Sequence, residues 1–374
     1  RKVRQMRKNL QLANKEPLFH MVKRDTISIK KAWGIRIIAL FFALIACALF
    51  IVPITHLNPI EIYKTIIEGA IGNSTRLWTT IREITVLLCI AIGLTPAFKM
   101  KFWNIGAEGQ VLMGGTMAAA LMIYMGDKVS NWVLLILIFI FSAVAGMIWG
   151  LIPAFFKAHL NTNETLFTLM LNYVAIQIVS CCIVFWENPK GSNTVGIINS
   201  ITNSGWFPKV FGMTYGLNII LVALLTIGIF FFLKSSKMGY EISVVGEGVD
   251  TANYAGVNVK KVILKTMALS GAICGFTGSL IVSGSSHTIS TTIAGGFGFT
   301  AIIVAWMAKF NTFAMIPVTA VLIFMQQGSI QIATKFGLNK SASDIITGII
   351  LFFLIGCEFF INYKLEFTKI KKEV

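Results

Sequence analysis

The stretch Val133–Phe141 reads VLLILIFIF, with no polar side chain among its residues. Similar stretches recur along the chain at lengths near 20 residues, about what a helix needs to cross the hydrocarbon of a bilayer. The composition agrees, because 56% of the 374 residues are hydrophobic and 13% are charged, whereas soluble chains are about 45–50% apolar and about 25% charged. A membrane β-barrel would instead alternate apolar and polar residues. The sequence therefore predicts an all-α integral membrane protein.

The placement of the basic residues predicts the orientation of the chain in the membrane. Lys and Arg number 32, against 16 Asp and Glu. Basic residues before or at the start of the first apolar run are Arg1, Lys2, Arg4, Arg7, Lys8, Lys15, Lys23, Arg24, Lys30, Lys31 and Arg36. Because Lys and Arg accumulate on the cytoplasmic side, this flank is predicted to lie inside, close to anionic lipid. Nucleic-acid binding is disfavoured, since no basic patch is interleaved with stacking aromatic residues.

The apolar runs predict a polytopic helical bundle of about ten transmembrane helices, with both termini inside. The predicted spans are 33–55, 83–98, 105–125, 131–156, 160–186, 213–233, 265–283, 296–308, 312–334 and 343–362. Residues Pro59–Ile81 carry apolar residues at helical spacing and are predicted to form an amphipathic helix on the outer surface. Some segments are expected to be broken or re-entrant, and eight or nine crossings with a re-entrant 284–308 remain an alternative.

The chain is expected to divide into three parts. Residues 1–32 form a basic N-terminal segment in the cytoplasm, and residues 364–374 form a cytoplasmic tail. Between them, 33–363 is the transmembrane domain, whose long internal cytoplasmic loop is 234–264. Multi-pass insertion in a cell membrane follows from this division.

Motifs for catalysis and for metal binding are not found. The nearest approach to a phosphate-binding loop, Gly337–Ser341, lacks the glycine that precedes lysine in GxxxxGK[ST]. The six cysteines lie within apolar runs and His287 has no second ligand nearby, so no metal site is predicted. No catalytic residue is assigned and no cofactor is expected on this chain, which is predicted not to be an enzyme.

Polar breaks between apolar spans are functional candidates, because unpaired backbone is tolerated in a membrane only against protein or a water-filled path. The first break contains Asn104, which can cap the following helix, and Glu108, which would lie in that helix's first turn. A capped helix start explains both residues. The alternative places them, together with Gln110, along a substrate pathway, since an ionised side chain inside a bundle is costly and usually functional.

The second break is Gly284–Phe299, which reads GSSHTISTTIAGGFGF. Its hydroxyl groups and free backbone amides are suited to the outer mouth of a pathway, and the candidates there are Ser286, Thr288 and Phe299. An ordinary external loop followed by a flexible helix start is the alternative interpretation.

A third set of polar residues lies on an otherwise apolar predicted helix. Its members are Asn163, Glu164, Asn172, Tyr173 and Gln177. Asn172 follows Glu164 by eight residues, which places both close to one helical face. These side chains are predicted either to line an inner surface or to form hydrogen bonds between helices.

The cytoplasmic loop contains one short helical pattern. Residues Gly248–Val257 read GVDTANYAGV, and Gly256 is expected to stop the helix. A solvated loop would fit the same residues.

Four segments resemble the permease subunits of ATP-binding-cassette importers for branched-chain amino acids, ribose and galactose, most of all the nucleoside-uptake branch. They are NIGAEGQ at Asn104–Gln110, NETLFTLMLNYVA at Asn163–Ala175, GEGVDTANYAGVNVKK at Gly246–Lys261 with SGAICGFTGSL at Ser270–Leu280, and GGFGFTAIIVA at Gly295–Ala305.

The resemblance implies a pore subunit in the bacterial cytoplasmic membrane that works with other proteins. The implied partners are an ATPase subunit, which uses ATP and Mg, a second permease, and an extracellular substrate-binding lipoprotein. Gly109-Gln110 is similar to the longer permease of nucleoside systems, which suggests a heterodimer. The residues implied to couple to the ATPase are Gly246, Glu247, Gly248, Ala252, Asn253, Tyr254, Ala255 and Gly256. The family tends to have Asn at the position of Glu247 or Gly248, so the individual coupling contacts remain open.

The implied substrate is a nucleoside. A simple sugar such as ribose or galactose is the alternative, because scattered amides, hydroxyls and aromatic faces suit both. An ion-coupled secondary transporter is less favoured, since neither a convincing internal repeat nor a cluster of membrane carboxylates is found.

Overall fold

The computed structural model describes residues 19–24, 27–55, 58–210 and 212–367. Its α-helices are α1 (Ile29–Thr55), α2 (Pro59–Ile71), α3 (Ser74–Lys99), α4 (Ala107–Met125), α5 (Asn131–Leu160), α6 (Glu164–Trp186), α7 (Gly216–Ser235), α8 (Lys237–Glu247), α9 (Val249–Tyr254), α10 (Val259–Ile281), α11 (Phe297–Met307), α12 (Thr312–Lys335) and α13 (Lys340–Asn362). A five-residue π-helix, Val282–Ser286, continues α10. The strands are β1 (Phe19–Lys23) and β2 (Tyr363–Phe367).

Most of the helix boundaries follow the sequence prediction to within a few residues. Within the described ranges, eight helices are long and apolar enough to cross a membrane: α1, α3, α5, α6, α7, α10 with its π-helical extension, α12 and α13. The protein is therefore an all-α polytopic membrane protein. The ten crossings stay a prediction, in which α4 and the segment containing α11 would supply the remaining two.

Two boundary predictions need correction, and one predicted span is too short to cross the membrane alone. The helix predicted at Pro59–Ile81 ends at Ile71, and α3 begins at Ser74 because Asn73 accepts a hydrogen bond from the backbone N–H of Arg76 at 2.8 Å. The span predicted at 83–98 is consequently longer. The span predicted at 296–308 contains only α11, whose eleven residues reach about 16 Å, too little to cross the hydrocarbon alone.

The chain divides into two compact units, and the first comprises 1–65 and 329–374. In its described part, α1 packs against α13, and Arg36 Nη2 lies 2.6 Å from Glu358 Oε1. Antiparallel pairing of β1 with β2 joins the ends of this part, with Phe19 opposite Phe367. The strand pair was not predicted from the sequence.

The second unit comprises 66–328 and has α4, α5 and α10 packed closely at its centre. Glycines permit this packing. A methyl group on Gly114 of α4 would overlap the backbone of Gly275 of α10, and one on Gly271 would overlap the carbonyl of Gly146 in α5. Small residues allow backbones to approach closely in membrane proteins, where van der Waals packing replaces the hydrophobic effect between helices.

Candidate functional site

A break in regular structure separates α3 from α4. Helix α3 ends at Lys99, Lys101 follows in the left-handed conformation at φ 60°, and the N–H of Phe102 donates to the carbonyl of Ala97 at 3.0 Å. Residues 102–106 are not helical, and α4 begins at Ala107. Their backbone groups therefore need partners from elsewhere in the protein.

Asn104 lies at the centre of a buried polar network that supplies some of these partners. Its side chain is fully buried, and its Oδ1 accepts from the N–H of Gly106 at 3.0 Å and from Gln110 Nε2 at 3.3 Å. Its Nδ2 donates to Ser270 Oγ on α10 at 3.2 Å. The predicted capping of α4 by Asn104 is wrong, because Gly106 occupies the N-cap position and has no side chain to accept from the first turn.

Asn172 and Thr168 of α6 hold the same break from the other side. Asn172 Nδ2 donates to the carbonyl of Ile105 at 2.9 Å, and its Oδ1 accepts from the N–H of Gly109 at 2.9 Å. Thr168 Oγ1 accepts from the N–H of Ile105 at 3.2 Å. Of the two predicted alternatives, Asn172 therefore follows the second, hydrogen bonding between helices. Its amide is buried and both of its polar atoms bind backbone.

Glu108 joins two helix starts. It lies in the first turn of α4, as predicted, and its carboxylate accepts from two N–H groups at the start of α11: Oε1 from Gly296 at 2.9 Å and Oε2 from Gly298 at 2.8 Å. The positive ends of two helix dipoles thus meet at one carboxylate. There is little free space, since a methyl group on Gly298 would crowd the Glu108 carboxylate, with 2.7 Å from Cβ to Oε2.

The second predicted break is also irregular. The π-helix ends at His287, which is left-handed at φ 52° and whose ring is stacked on that of Trp206 with centroids 3.7 Å apart. Ser286 Oγ donates to the carbonyl of Thr288 at 3.1 Å. Phe299 lies in the first turn of α11 and is 44% exposed. Among the described residues no group of His, Cys, Asp and Glu could hold a metal ion.

The remaining candidates on α6 face in different directions. Asn163 caps the helix by accepting from the N–H of Leu166 at 3.2 Å, and Glu164 lies 2.9 Å from Lys157 Nζ. Tyr173, at 62% exposure, and Gln177 are exposed on the face opposite Asn172. The structure therefore separates a buried group of candidates around α4 from an exposed pair on α6.

The loop that is predicted to be cytoplasmic folds into two short helices. Helix α8 ends at Glu247, α9 occupies Val249–Tyr254, and Gly256 follows in the left-handed conformation at φ 72°. The predicted short helix with its glycine stop is thus present. Tyr254 is 94% exposed and Asn253, Ala255 and Glu247 are also exposed, whereas Ala252 is fully buried. Gly246 is buried against α3, since a methyl group there would overlap the carbonyl of Lys99.

Several partners in this site were missed by the sequence interpretation. Ser270, Thr168 and Gly296 bind residues of the first break from positions between 63 and 188 residues away in the chain. No spacing rule connects residues so distant, and only their positions in the resembling motifs could have indicated them.

These features define the class of protein. It is a polytopic helical membrane protein in which two helices begin at polar, irregular breaks held together by one carboxylate, and discontinuous helices of this kind are typical of transporters. Residues 77–355 match the family described as branched-chain amino acid transport system, permease component. The chain belongs to this family. No solved structure matches the chain.

Curated relatives match along most of the chain. The guanosine ABC transporter permease protein NupP of Bacillus subtilis is 27% identical over 90% of this chain and 96% of its own length. The glucose ABC transporter permease protein TsgB13 of Haloferax volcanii is 24% identical over 91% and 92%, respectively. The nucleoside ABC transporter permease protein NupB of Lactococcus lactis is 25% identical over 89% and 93%. The chain is a permease component of an ABC transporter, and its family implies an ATPase partner.

Proposed function

We propose that the chain forms half of the translocation pore of an importer for nucleosides in the bacterial cytoplasmic membrane. A separate ATPase subunit hydrolyses ATP with Mg, a second and different permease completes the pore, and an extracellular lipoprotein delivers the substrate. The observation that carries the proposal is the similarity to permeases named for guanosine and for nucleosides over about nine-tenths of the chain. A glucose permease matches over a similar length, so a simple sugar is the second candidate.

The exposed face of α6 supports a pathway for a neutral, hydroxylated ligand. Exposed residues in the middle of α5 and α7, such as Ile140 and Leu224, are apolar, as lipid contact requires. Helix α6 differs, because Tyr173 and Gln177 are exposed near its middle. An amide in contact with lipid would lack hydrogen-bond partners. We therefore place Tyr173 and Gln177 on the pathway, facing the second permease.

The buried candidates then act by fixing the shape of the pore. Asn104, Gln110 and Asn172 hold the start of α4, and Glu108 ties this start to α11. Their polar atoms bind protein groups, so their contribution to transport is the position of these two helices. Glu164 and Asn163 hold the beginning of α6 in the same way.

Competition for uptake distinguishes the two substrate candidates. Vesicles carrying the complete transporter should take up labelled guanosine, and excess unlabelled uridine or adenosine should reduce this uptake while excess glucose, ribose or leucine should not. Uptake of labelled glucose or ribose in preference to every nucleoside would contradict the proposal and favour the sugar importer.

Coupling is proposed to occur through the exposed side of α9. An Ala255→Arg variant places a bulky charge on that side without entering the core, so it should express normally and lose substrate-stimulated ATP hydrolysis. Ala252→Arg is unsuitable for this test, because Ala252 is fully buried and the variant would disturb folding.

The matched control is Ser235→Arg, at the exposed end of α7. It introduces the same charge outside α9 and should retain stimulated hydrolysis. Normal stimulation in Ala255→Arg would contradict the assignment of α9 as the docking element.

A further inference from the structure

A charged pair with an unusual arrangement lies on α3. Arg82 and Glu83 are the ninth and tenth residues of this helix, about 12 Å from its beginning, which the predicted orientation places outside. Their side chains are 25% and 20% exposed. Ionised groups are costly within a membrane span and are functional candidates by default.

The salt bridge between Arg82 and Glu83 connects no second helix. Residues adjacent in a helix do not face each other, so Arg82 must fold back to meet Glu83. A similar pair, Arg36 and Glu358, connects α1 with α13 across 322 positions in sequence. Glu358 therefore links two helices, whereas Glu83 is paired with a residue of its own helix.

One carboxylate oxygen of Glu83 is still able to accept hydrogen bonds. Arg82 Nε donates to Glu83 Oε1 at 3.1 Å, and Arg82 Nη2 donates to the same oxygen. No described residue donates to Glu83 Oε2, on a side chain that is partly exposed. A carboxylate oxygen accepts strongly from hydroxyl groups.

One aromatic ring contacts the pair, and a second lies on the same face of α3. The Arg82 guanidinium lies 5.7 Å from the centre of the Tyr215 ring, which immediately precedes α7. Trp78 is partly exposed and lies one turn before Arg82 on the same face of α3. Aromatic faces stack with nucleobases of any sequence.

We propose that Arg82, Glu83, Tyr215 and Trp78 form an outer binding site for a ligand with neighbouring hydroxyl groups and an aromatic base, that is, an uncharged nucleoside. Glu83 Oε2 accepts from the ribose hydroxyls, and the rings of Tyr215 and Trp78 contact the base. The Arg82–Glu83 pair carries no net charge, so the site offers no net attraction to phosphate groups and suits an uncharged nucleoside. This inference rests on the proposed function and assigns the substrate a position on this chain.

The test is equilibrium binding of labelled uridine and labelled 2′,3′-dideoxyuridine to the purified permease–ATPase complex, without the binding lipoprotein. Glu83→Gln should weaken uridine binding about tenfold to a hundredfold, for the loss of a hydrogen bond to a charged acceptor. Its binding of dideoxyuridine, which lacks both hydroxyls, should be unchanged. Tyr215→Leu should weaken the binding of both ligands, because the base loses its contact with the aromatic ring.

The matched control is Glu358→Gln, because Glu358 also binds an arginine that lies over an aromatic ring, Trp33 at 5.4 Å. It should leave both affinities unchanged. Should Glu83→Gln fail to assemble, Glu83→Asp keeps the charge and should weaken uridine binding alone. The proposed site would be wrong if uridine showed no saturable binding. It would also be wrong if the Glu83 variants kept the wild-type ratio of uridine to dideoxyuridine affinity.

The wild-type transporter separates this inference from the proposed function. If it takes up nucleosides while the Glu83 variants bind uridine normally, the site is wrong and the function stands. If it takes up no nucleoside, both are wrong.

Discussion

Glu108 shows how one side chain can stabilise an irregular membrane structure. Two helices that begin inside a protein each present unpaired N–H groups, which are costly when buried. The Glu108 carboxylate lies within the first turn of α4 and binds two N–H groups of α11, so it serves both helix starts. We infer that its main contribution is to keep these two elements in a fixed relation.

Replacing Glu108 should therefore lower stability. Glu108→Gln removes the negative charge and turns one acceptor into a donor that faces an N–H group. The expected loss is about 1.5–3 kcal/mol, the range for a hydrogen bond to a charged group. Thermal unfolding of the purified complex measures it as a fall in apparent melting temperature.

Glu187 provides the matched control for this prediction. Its carboxylate also accepts from two backbone N–H groups, those of Gly191 at 2.8 Å and Asn193 at 3.2 Å, but it lies in an exposed loop. Water can replace both bonds, so Glu187→Gln should change the melting temperature much less. Equal effects of the two variants would mean that burial and the helix starts at Glu108 have no particular importance.

At the scale of elements, close packing of α4, α5 and α10 depends on glycine. Gly114→Ala should force α4 and α10 apart, because the added methyl group overlaps the backbone of Gly275. Overpacking of this kind costs about 1–3 kcal/mol, and the melting temperature should fall accordingly.

The control for this packing is Gly228→Ala in α7. Gly228 is also within a helix, but nothing lies within 4 Å of an added methyl group. The variant should be no less stable than the wild type, since alanine restricts the unfolded chain more than glycine does. A loss in Gly228→Ala as large as that in Gly114→Ala would contradict the packing explanation, since nothing lies close to an added methyl group at Gly228.

The sequence predicted long elements well and short irregular ones poorly. Apolar length located most of the spans within a few residues, because crossing a bilayer requires that length. The predicted span 296–308 agrees with α11 to within one residue at each end, but eleven residues are too few to cross the hydrocarbon alone. The pairing of β1 with β2 depends on residues 340 or more positions apart, which no local pattern records.

The sequence identified the types of the important residues more reliably than the directions in which their side chains point. Amides and a carboxylate at breaks in apolar spans did prove to be organising groups, as Asn104 and Glu108 demonstrate. Sequence could not separate Asn172, which is buried, from Tyr173, which is exposed, because adjacent residues on a helix point about 100° apart. Which face is buried depends on the helices packed around it.

At the scale of the whole molecule, every feature described is compatible with half of a pore. Helix α8, in the loop predicted to be cytoplasmic, contacts α3 at Gly246, and Tyr173 and Gln177 of α6 are left exposed by the chain itself. The family match and the curated relatives identify a permease component of an ABC transporter, which implies that energy comes from an ATPase partner. The identity of the substrate, the direction of transport and the second permease are parts of the proposal.

The central claim is tested most directly by ATP-driven accumulation of labelled guanosine in proteoliposomes that contain the chain, the second permease, the ATPase and the binding lipoprotein. The account predicts that guanosine is concentrated on the side opposite the binding lipoprotein only when ATP and Mg are present on the ATPase side, and that omission of this chain abolishes accumulation. Accumulation driven by an ion gradient without ATP, or ATP-driven accumulation of glucose but of no nucleoside, would contradict it.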